Sequence, residues 1–312
     1  LERIPPRVQI REGAELELPH IMMVIDDQEN AVIGPASQHK KDFTPLYDFQ
    51  LMFGSGRLRG YLINQPKVEE EIFAGLTGLA DQKKFSQRYK VPAETPLLLF
   101  AVGDGNHSLA TAKTIWEKAK AASHNQQELN HSPLRYALVE IVNLHDEALA
   151  FEPIHRILFE IKNPAGLEDE LELFFQRQVE ISTEKSYEDL KKAINARKKK
   201  EQLAGVILKN TFKLIRFLKP SSNLTVGTIQ PFLDKFIGDQ KAQGLDYVHG
   251  DDSLWQLVRR NENNAGIYLP ALEKNELFPT VILDGALPRK TFSMGEAWEK
   301  RFYLEGRKLT NR

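Results

Sequence analysis

Gly103-Asp104-Gly105-Asn106-His107-Ser108 places two glycines, a carboxylate, an imidazole and a hydroxyl side by side. The run lies between an apolar stretch, 96–102, and a helix-like stretch, 109–120, so a strand is expected to hand over to a helix there. Glycine permits a tight turn and close approach to a ligand, and the unpaired N–H groups that open a helix attract anions. Asp104 is then a candidate general base, and His107 a candidate for proton transfer or phosphate contact. Gly103, Gly105, Asn106 and Ser108 complete a candidate phosphate cradle. The same residues allow a plainer reading, in which Asp104 or Asn106 caps the helix and His107 only occupies its first turn. The run fits neither G-x-G-x-x-G nor G-x-x-x-x-G-K-[ST], so a Rossmann dinucleotide site and a P-loop are unsupported.

Further polar groups cluster downstream. His145-Asp146, followed by Glu152, His155 and Arg156, brings two imidazoles, two carboxylates and a guanidinium into a short span. If the strand before them lay beside the first one, they would meet His107 in a polar pocket. Two histidines and a carboxylate are a conceivable metal set, but no H-E-x-x-H or comparable spacing supports one, and no metal is expected. His249 precedes Asp251 and Asp252, whose carboxylates suit the start of a helix. Arg289, Lys290, Thr291, Ser293, Gly295 and Glu296 have the composition of an anion site, with Lys290 and Ser293 as candidate phosphate contacts. Arg3 and Arg7 flank a stiff diproline, either as an anion clamp or as a solvated loop.

The elements that must position these groups alternate in type. Short strands are expected at 7–10, 20–25 and 58–63, and helix from Val68 to Tyr89, split if Gly75 or Gly78 breaks it. An exposed loop is expected over 124–131 and a core strand over 134–143. Beyond Asn163 the texture changes to helices at 167–176 and 187–200, a hairpin around Lys209-Asn210, a helix from Pro231, a strand at 244–248, a helix at 251–260 and a strand at 265–269. The tail from Thr291 to Leu309 suits an edge strand or a helix. Mixed α/β architecture follows, with α and β elements sharing mixed sheets.

At 312 residues the chain exceeds the usual size of one core. Two domains are expected: 1–162, carrying the Asp104 run, and 163–312, a smaller α/β unit whose last ~40 residues return to the core. Lys and Arg number 42 against 43 for Asp and Glu, so no global field favours nucleic acid or an anionic membrane. No run approaches the ~18 apolar residues of a membrane span, and the first residues do not resemble a signal peptide. A cytoplasmic protein is expected. Cysteine is absent, which excludes disulfides, thiolate catalysis and iron–sulfur clusters held by this chain; neither haem nor flavin is expected. Leu1 at the start is consistent with a fragment or a processed protein.

Residues 2–21, 103–113, 135–158 and 290–309 together resemble the bacterial domain-of-unknown-function 1015 family, and the resemblance covers nearly the whole chain. Members of that family usually carry a further region ahead of residues 2–21, which the resemblance implies is missing here. The strand–Asp–Gly–helix element is also similar, more distantly, to the D-G-H-H-R element of the ParB/sulfiredoxin-like superfamily, which includes CTP-dependent partition proteins and free-serine kinases. Asp104 and Gly105 match its D-G and His107 its second His, whereas Asn106 stands for the first His and Ser108 for the Arg. The resemblance implies a ParB/sulfiredoxin-like core that binds ATP or another nucleotide with Mg²⁺. Lys113, Arg156 or Lys290 would then supply the charge that Ser108 lacks. The expected function is phosphotransfer to a small hydroxylated metabolite. The alternatives are a nucleotide- or small-ligand-binding switch without turnover and a metal-dependent hydrolase using His107, His145 and His155.

Overall fold

The computed structural model describes residues 4–294 and 302–310. Arg3, Gly295 and Glu296, named above as anion contacts, lie outside the described residues. The fold is mixed α/β, and the chain divides into two compact units, Leu1–Leu149 with Ala297–Arg312, and Ala150–Glu296.

In the first unit the chain opens with helix α1 (Ile4–Arg11), not the strand expected at 7–10. Its prolines fall in the first turn, where a missing N–H costs nothing, and Val8 is the residue it buries. Strands β1 (Leu16–Glu17) and β2 (Met22–Ile25) and helix α2 (Ile33–Gln38) follow. Strands β3 (Thr44–Gln50) and β4 (Arg57–Leu62) form a two-stranded sheet. The helical stretch is split, into α3 (Pro66–Leu79) and α4 (Gln82–Tyr89), but at Asp81 and not at a glycine. The Asp81 side chain accepts the N–H groups of Lys83 and Lys84, a local cap that outcompetes helix continuation. Gly75 lies within α3, where a Cβ would come 2.5 Å from the Ala31 carbonyl oxygen, so this position needs glycine for close packing. Strand β5 (Ala101–Asp104) leads into helix α5 (Asn106–Ala122). The expected exposed loop at 124–131 contains helix α6 (Gln126–His131), capped by the Asn125 side chain, and the expected strand 134–143 shortens to β6 (Glu140–Asn143).

Strand β2 is the centre of a three-stranded sheet ordered β5-β2-β6. It runs parallel to β6 and antiparallel to β5, with Met22 opposite both Asp104 and Glu140. That mixed polarity decides where the polar ends fall.

The second unit is built on strands β7 (Phe151–Phe159), β8 (Val179–Glu184), β9 (Leu203–Leu208), β10 (Thr211–Phe217), β11 (Gly244–His249), β12 (Ala265–Tyr268) and β13 (Phe292–Met294). They form one sheet ordered β11-β7-β12-β9-β10-β8, with β13 also on β7, and every pairing is antiparallel. Strand β7 therefore belongs to this unit, although it precedes the 162/163 boundary expected from sequence. Helices α7 (Leu167–Phe174) and α9 (Thr225–Gly238) cover one face, while α8 (Tyr187–Asn195) and α10 (Asp251–Arg260) cover the other. Alternation along each strand feeds both layers: Leu158 and Ile267 pack with α9, Ile157 and Tyr268 with α8 and α10. Pro231 lies inside α9, which starts upstream of it, at Thr225. Helix α11 (Lys274–Asp284) is closed at its start by a reciprocal Glu273–Glu276 box. The last described strand, β14 (Arg307–Lys308), pairs with β1 in the first unit.

Candidate functional site

Gly103 and Asp104 are the last residues of β5 and Asn106 the first of α5, so the whole turn is made at Gly105. Its φ of +82° is open to glycine and costly for other residues. A Cβ at this position would also lie 2.0 Å from the His20 carbonyl oxygen and 2.7 Å from Ile21 Cα. Two independent constraints thus fix glycine where the backbone comes closest to the neighbouring strand.

The cap position is taken by neither Asp104 nor Asn106. The residue at the cap position of α5 is Gly105, which has no side chain to accept the first N–H groups of the helix; Asp104 Oδ1 accepts the Gly105 N–H at 2.8 Å. The opening turn of α5 contains no acidic residue, so its positive end is not neutralised from within the helix. Asp104 is half-buried, with its Oδ2 4.0 Å from His20 Nε2. Asn106 and His107 are exposed and Ser108 half-buried. The His20 ring meets Tyr303 edge-on at 5.9 Å, which adds an aromatic wall that sequence reading did not assign to the hinge. Such an arrangement can receive an anion on backbone N–H groups beside a carboxylate and an imidazole.

His145 and Asp146 do not join it. They follow β6, and β6 runs parallel to β2 while β5 runs antiparallel, so the hinge stands at the start of β2 and His145 beyond its end. His145 meets a different set of partners. Its Nε2 lies 2.6 Å from Asp26 Oδ1, the oxygen that also accepts Arg88 Nη2, while Tyr89 donates its hydroxyl to Asp26 Oδ2. Arg88 Nη1 further donates to the Asp26 carbonyl at 2.8 Å. Burial and the bond to Asp26 push the Tyr89 hydroxyl up, which keeps it a donor. The adjoining Asp27 is buried, its carboxylate accepting the Val32 N–H and its carbonyl the Asn143 amide. Asp26, Arg88 and Tyr89 are not among the residues that stand out in the sequence, because their partners lie more than sixty residues away and only the tertiary fold joins them. The available signal was a carboxylate pair directly after an apolar strand.

The remaining candidates belong to the second unit. His155 and Arg156 are adjacent on β7 and so face opposite sides of the sheet; a shared pocket is therefore corrected to two separate structural roles. His155 is fully buried and stacks on Tyr268 at 4.4 Å. Its Nδ1 accepts the Leu269 N–H at 3.1 Å, and its Nε2 donates to Asp251 at 3.1 Å. Both ring nitrogens are spent, which removes it from any metal set. Arg156, also fully buried, donates to Gln230 Oε1 at 3.1 Å, to the Ile154 carbonyl and to the Arg289 carbonyl at 3.2 Å. Its guanidinium stands over the Tyr247 ring, and burial lowers its pKa to about 10. A side chain so enclosed is not placed to grip a phosphate. Glu152 is exposed and opposite Ser293 in the β7–β13 ladder, Ser293 is buried, and Lys290 and His249 are exposed. Asp251 does not cap α10, whose cap residue is Gly250; it serves His155 and, at 3.5 Å, Lys191.

The His155 N–H, and then Lys191, hold the Asp251 carboxyl below its ordinary value against the opposing effect of burial. Because the folded value is the lower one, the stabilisation is complete above the unfolded carboxylate value and is lost as pH falls through the folded one. Urea unfolding followed from about pH 6 to about pH 3 should show this acid loss, and His155→Phe should flatten it. An unchanged acid profile in that variant would disprove the coupling.

Among the described residues no group of three or more His, Cys, Asp or Glu side chains is placed to hold a metal ion. Nor is any helix long and apolar enough to cross a membrane. A small cavity of about 30 Å³ in the second unit is lined by Arg197, Gln202, Thr225, Glu276 and Thr291 among others; among the described residues, Thr291 is the one member of the expected anion-site run that reaches it. Two of its polar groups are paired, Gln202 with Ser222 and Thr228, and Arg197 with the Ala271 carbonyl.

Among solved structures the chain is similar to a conserved hypothetical protein from Pyrococcus furiosus, with 12% identity, a TM-score of 0.37, and 95% of this chain and 96% of that chain covered. It is similar also to a free serine kinase in complex with AMP, with 11% identity, a TM-score of 0.39, and 96% and 92% covered. No protein of curated function matches it. The family described as "Protein of unknown function (DUF1015)" matches residues 1–236, well over half of the chain, and the protein therefore belongs to the DUF1015 family.

Proposed function

We propose that the β5–Gly105–α5 element binds the phosphate of a small phosphorylated ligand, a nucleotide in the leading reading, and transfers a phosphoryl group to a small hydroxylated metabolite. One observation carries this reading: α5 opens at a glycine that supplies no side-chain cap, directly beside the half-buried Asp104 carboxylate. Helix N–H groups would take the phosphate oxygens, Asp104 would accept the hydroxyl proton of the acceptor, and His107 would face the transferred group. Mg²⁺ commonly arrives on nucleotide phosphates and needs only one or two protein carboxylates. Carried on the phosphates, the ion would neutralise their charge and leave Asp104 free to act as the base.

The test is a thermal-shift and calorimetry screen with ATP, CTP and GTP, each with Mg²⁺, followed by phosphorus NMR for turnover. At least one nucleotide should stabilise the protein. His107→Ala should weaken its binding about tenfold, roughly 1.4 kcal/mol, and Asp104→Asn should bind it while losing transfer by about 10²-fold or more. Stabilisation by none of them would end the proposal. Saturable binding without product would assign the element to a switch.

A further inference from the structure

The end of β2 opposite the hinge carries a constellation that the proposed phosphate site does not use. Asp26 follows β2, His145 follows the parallel strand β6, and Arg88 and Tyr89 close α4. Three side chains from two further elements thus converge on the Asp26 carboxylate.

The hydrogen bonds assign the protons. The Asp26 side chain is 10% exposed, and it accepts from Arg88 and Tyr89, both obligate donors there. A carboxylate held in this way is an acceptor, so His145 must donate from Nε2 across the 2.6 Å contact. The lone pair of the neutral imidazole is then on Nδ1. The His145 side chain is 31% exposed, so the ring is oriented from within and open from without. A base oriented by a carboxylate is the arrangement that general-base and nucleophilic catalysis require. Arg88 commits two N–H groups to Asp26 out of the five a guanidinium carries, and its side chain is 30% exposed.

We propose that Asp26, Arg88, Tyr89 and His145 form a second site, in which His145 Nδ1 accepts a proton from a small hydroxylated anion whose charge is held by Arg88. The O–H bond of the ligand breaks, the proton passes to Nδ1, and Asp26 stabilises the resulting imidazolium; the electron pair stays on the ligand oxygen. No oxidant, reductant or further reactant is needed. Tyr89 acts as a positioning residue, since its hydroxyl fixes the second oxygen of Asp26.

The test uses the full chain with two probes, diethylpyrocarbonate for the imidazole and glycolate for the anion. His124 is the internal standard because it is more exposed than His145, so accessibility alone predicts faster modification at His124. Peptide mapping should instead show His145 modified roughly tenfold faster, with Asp26→Asn returning it to the His124 rate while circular dichroism is unchanged. If that variant does not fold, the comparison of His145 with His124 in the unaltered protein still decides. Nitrogen-15 NMR of labelled histidine should show the Nε2–H tautomer at His145 and a saturable shift on adding glycolate that Arg88→Gln abolishes. Modification of His145 no faster than His124, an Nδ1–H tautomer, or no glycolate response would overturn the proposal. Because Asp104 and His107 take no part in these readouts, Asp104→Asn should leave them unchanged. This site and the phosphate site can therefore fail separately.

Discussion

Replacing Gly105 by alanine is expected to cost roughly 2–5 kcal/mol and to abolish ligand binding at the hinge. A residue with a Cβ pays about 1–2 kcal/mol at a left-handed φ, and overpacking a closed position adds roughly 1–3 kcal/mol. Both apply here, since φ is +82° and the atoms that a Cβ would strike are the backbone oxygen of His20 and Cα of Ile21. A flexible side chain could swing away from the intruding methyl; the backbone just ahead of β2, where the Ile21 carbonyl accepts the Glu140 N–H, cannot. The strain would be relieved by pushing β5 off β2, which moves Asp104 away from the first N–H groups of α5. Urea unfolding measures the first effect and nucleotide-induced thermal shift the second. A Gly105→Ala protein within about 0.5 kcal/mol of the original would show that the turn adapts and that its geometry is not the constraint. Gly103→Ala is the matched control, since Gly103 lies within β5 and does not take a positive φ.

His155→Ala is expected to destabilise the protein by about 3 kcal/mol, as a structural residue and not a catalytic one would. The substitution leaves the Leu269 N–H without its acceptor and opens a cavity against Tyr268, each a recognised source of losses of this size. It also strips Asp251 of its principal donor. His155→Gln should recover part of the loss, because an amide can serve one of the two partners. Chemical denaturation of the three proteins reads the series directly. If His155→Ala unfolded at the same urea concentration as the original, the imidazole would have been held for something other than the fold.

The two substitutions mark the boundary of what the order of residues conveys. Strand, glycine and helix could be located at 96–120 because an apolar run, a breaker and a helical pattern are local signals. Gly105 stood out for the same reason. Whether Asp104 caps the helix could not be read, because capping depends on which way a carboxylate turns, and Asp104 bonds to Gly105 N–H at the very edge of the helix. His145 and His155 were visible as residue types but not as roles. Their partners, Asp26 and Asp251, lie far away in the sequence, and only the pairing of strands brings such groups within reach. The α1 segment was misread as strand because its short pattern carries little period, whereas the structure buries Val8 and leaves the diproline in the first turn.

The sequence by itself determined the mixed α/β class, the family to which the chain belongs and the place of the strand–glycine–helix hinge, since each rests on local pattern. Tertiary structure decided the rest. Because β5 is antiparallel to β2 and β6 parallel to it, the Asp104 hinge and His145 stand at opposite ends of one sheet. Because neighbouring residues of a strand face opposite ways, His155 and Arg156 are divided between two cores. Strand direction and side-chain alternation thus turned one expected pocket into a hinge, a carboxylate-centred cluster and two buried structural groups.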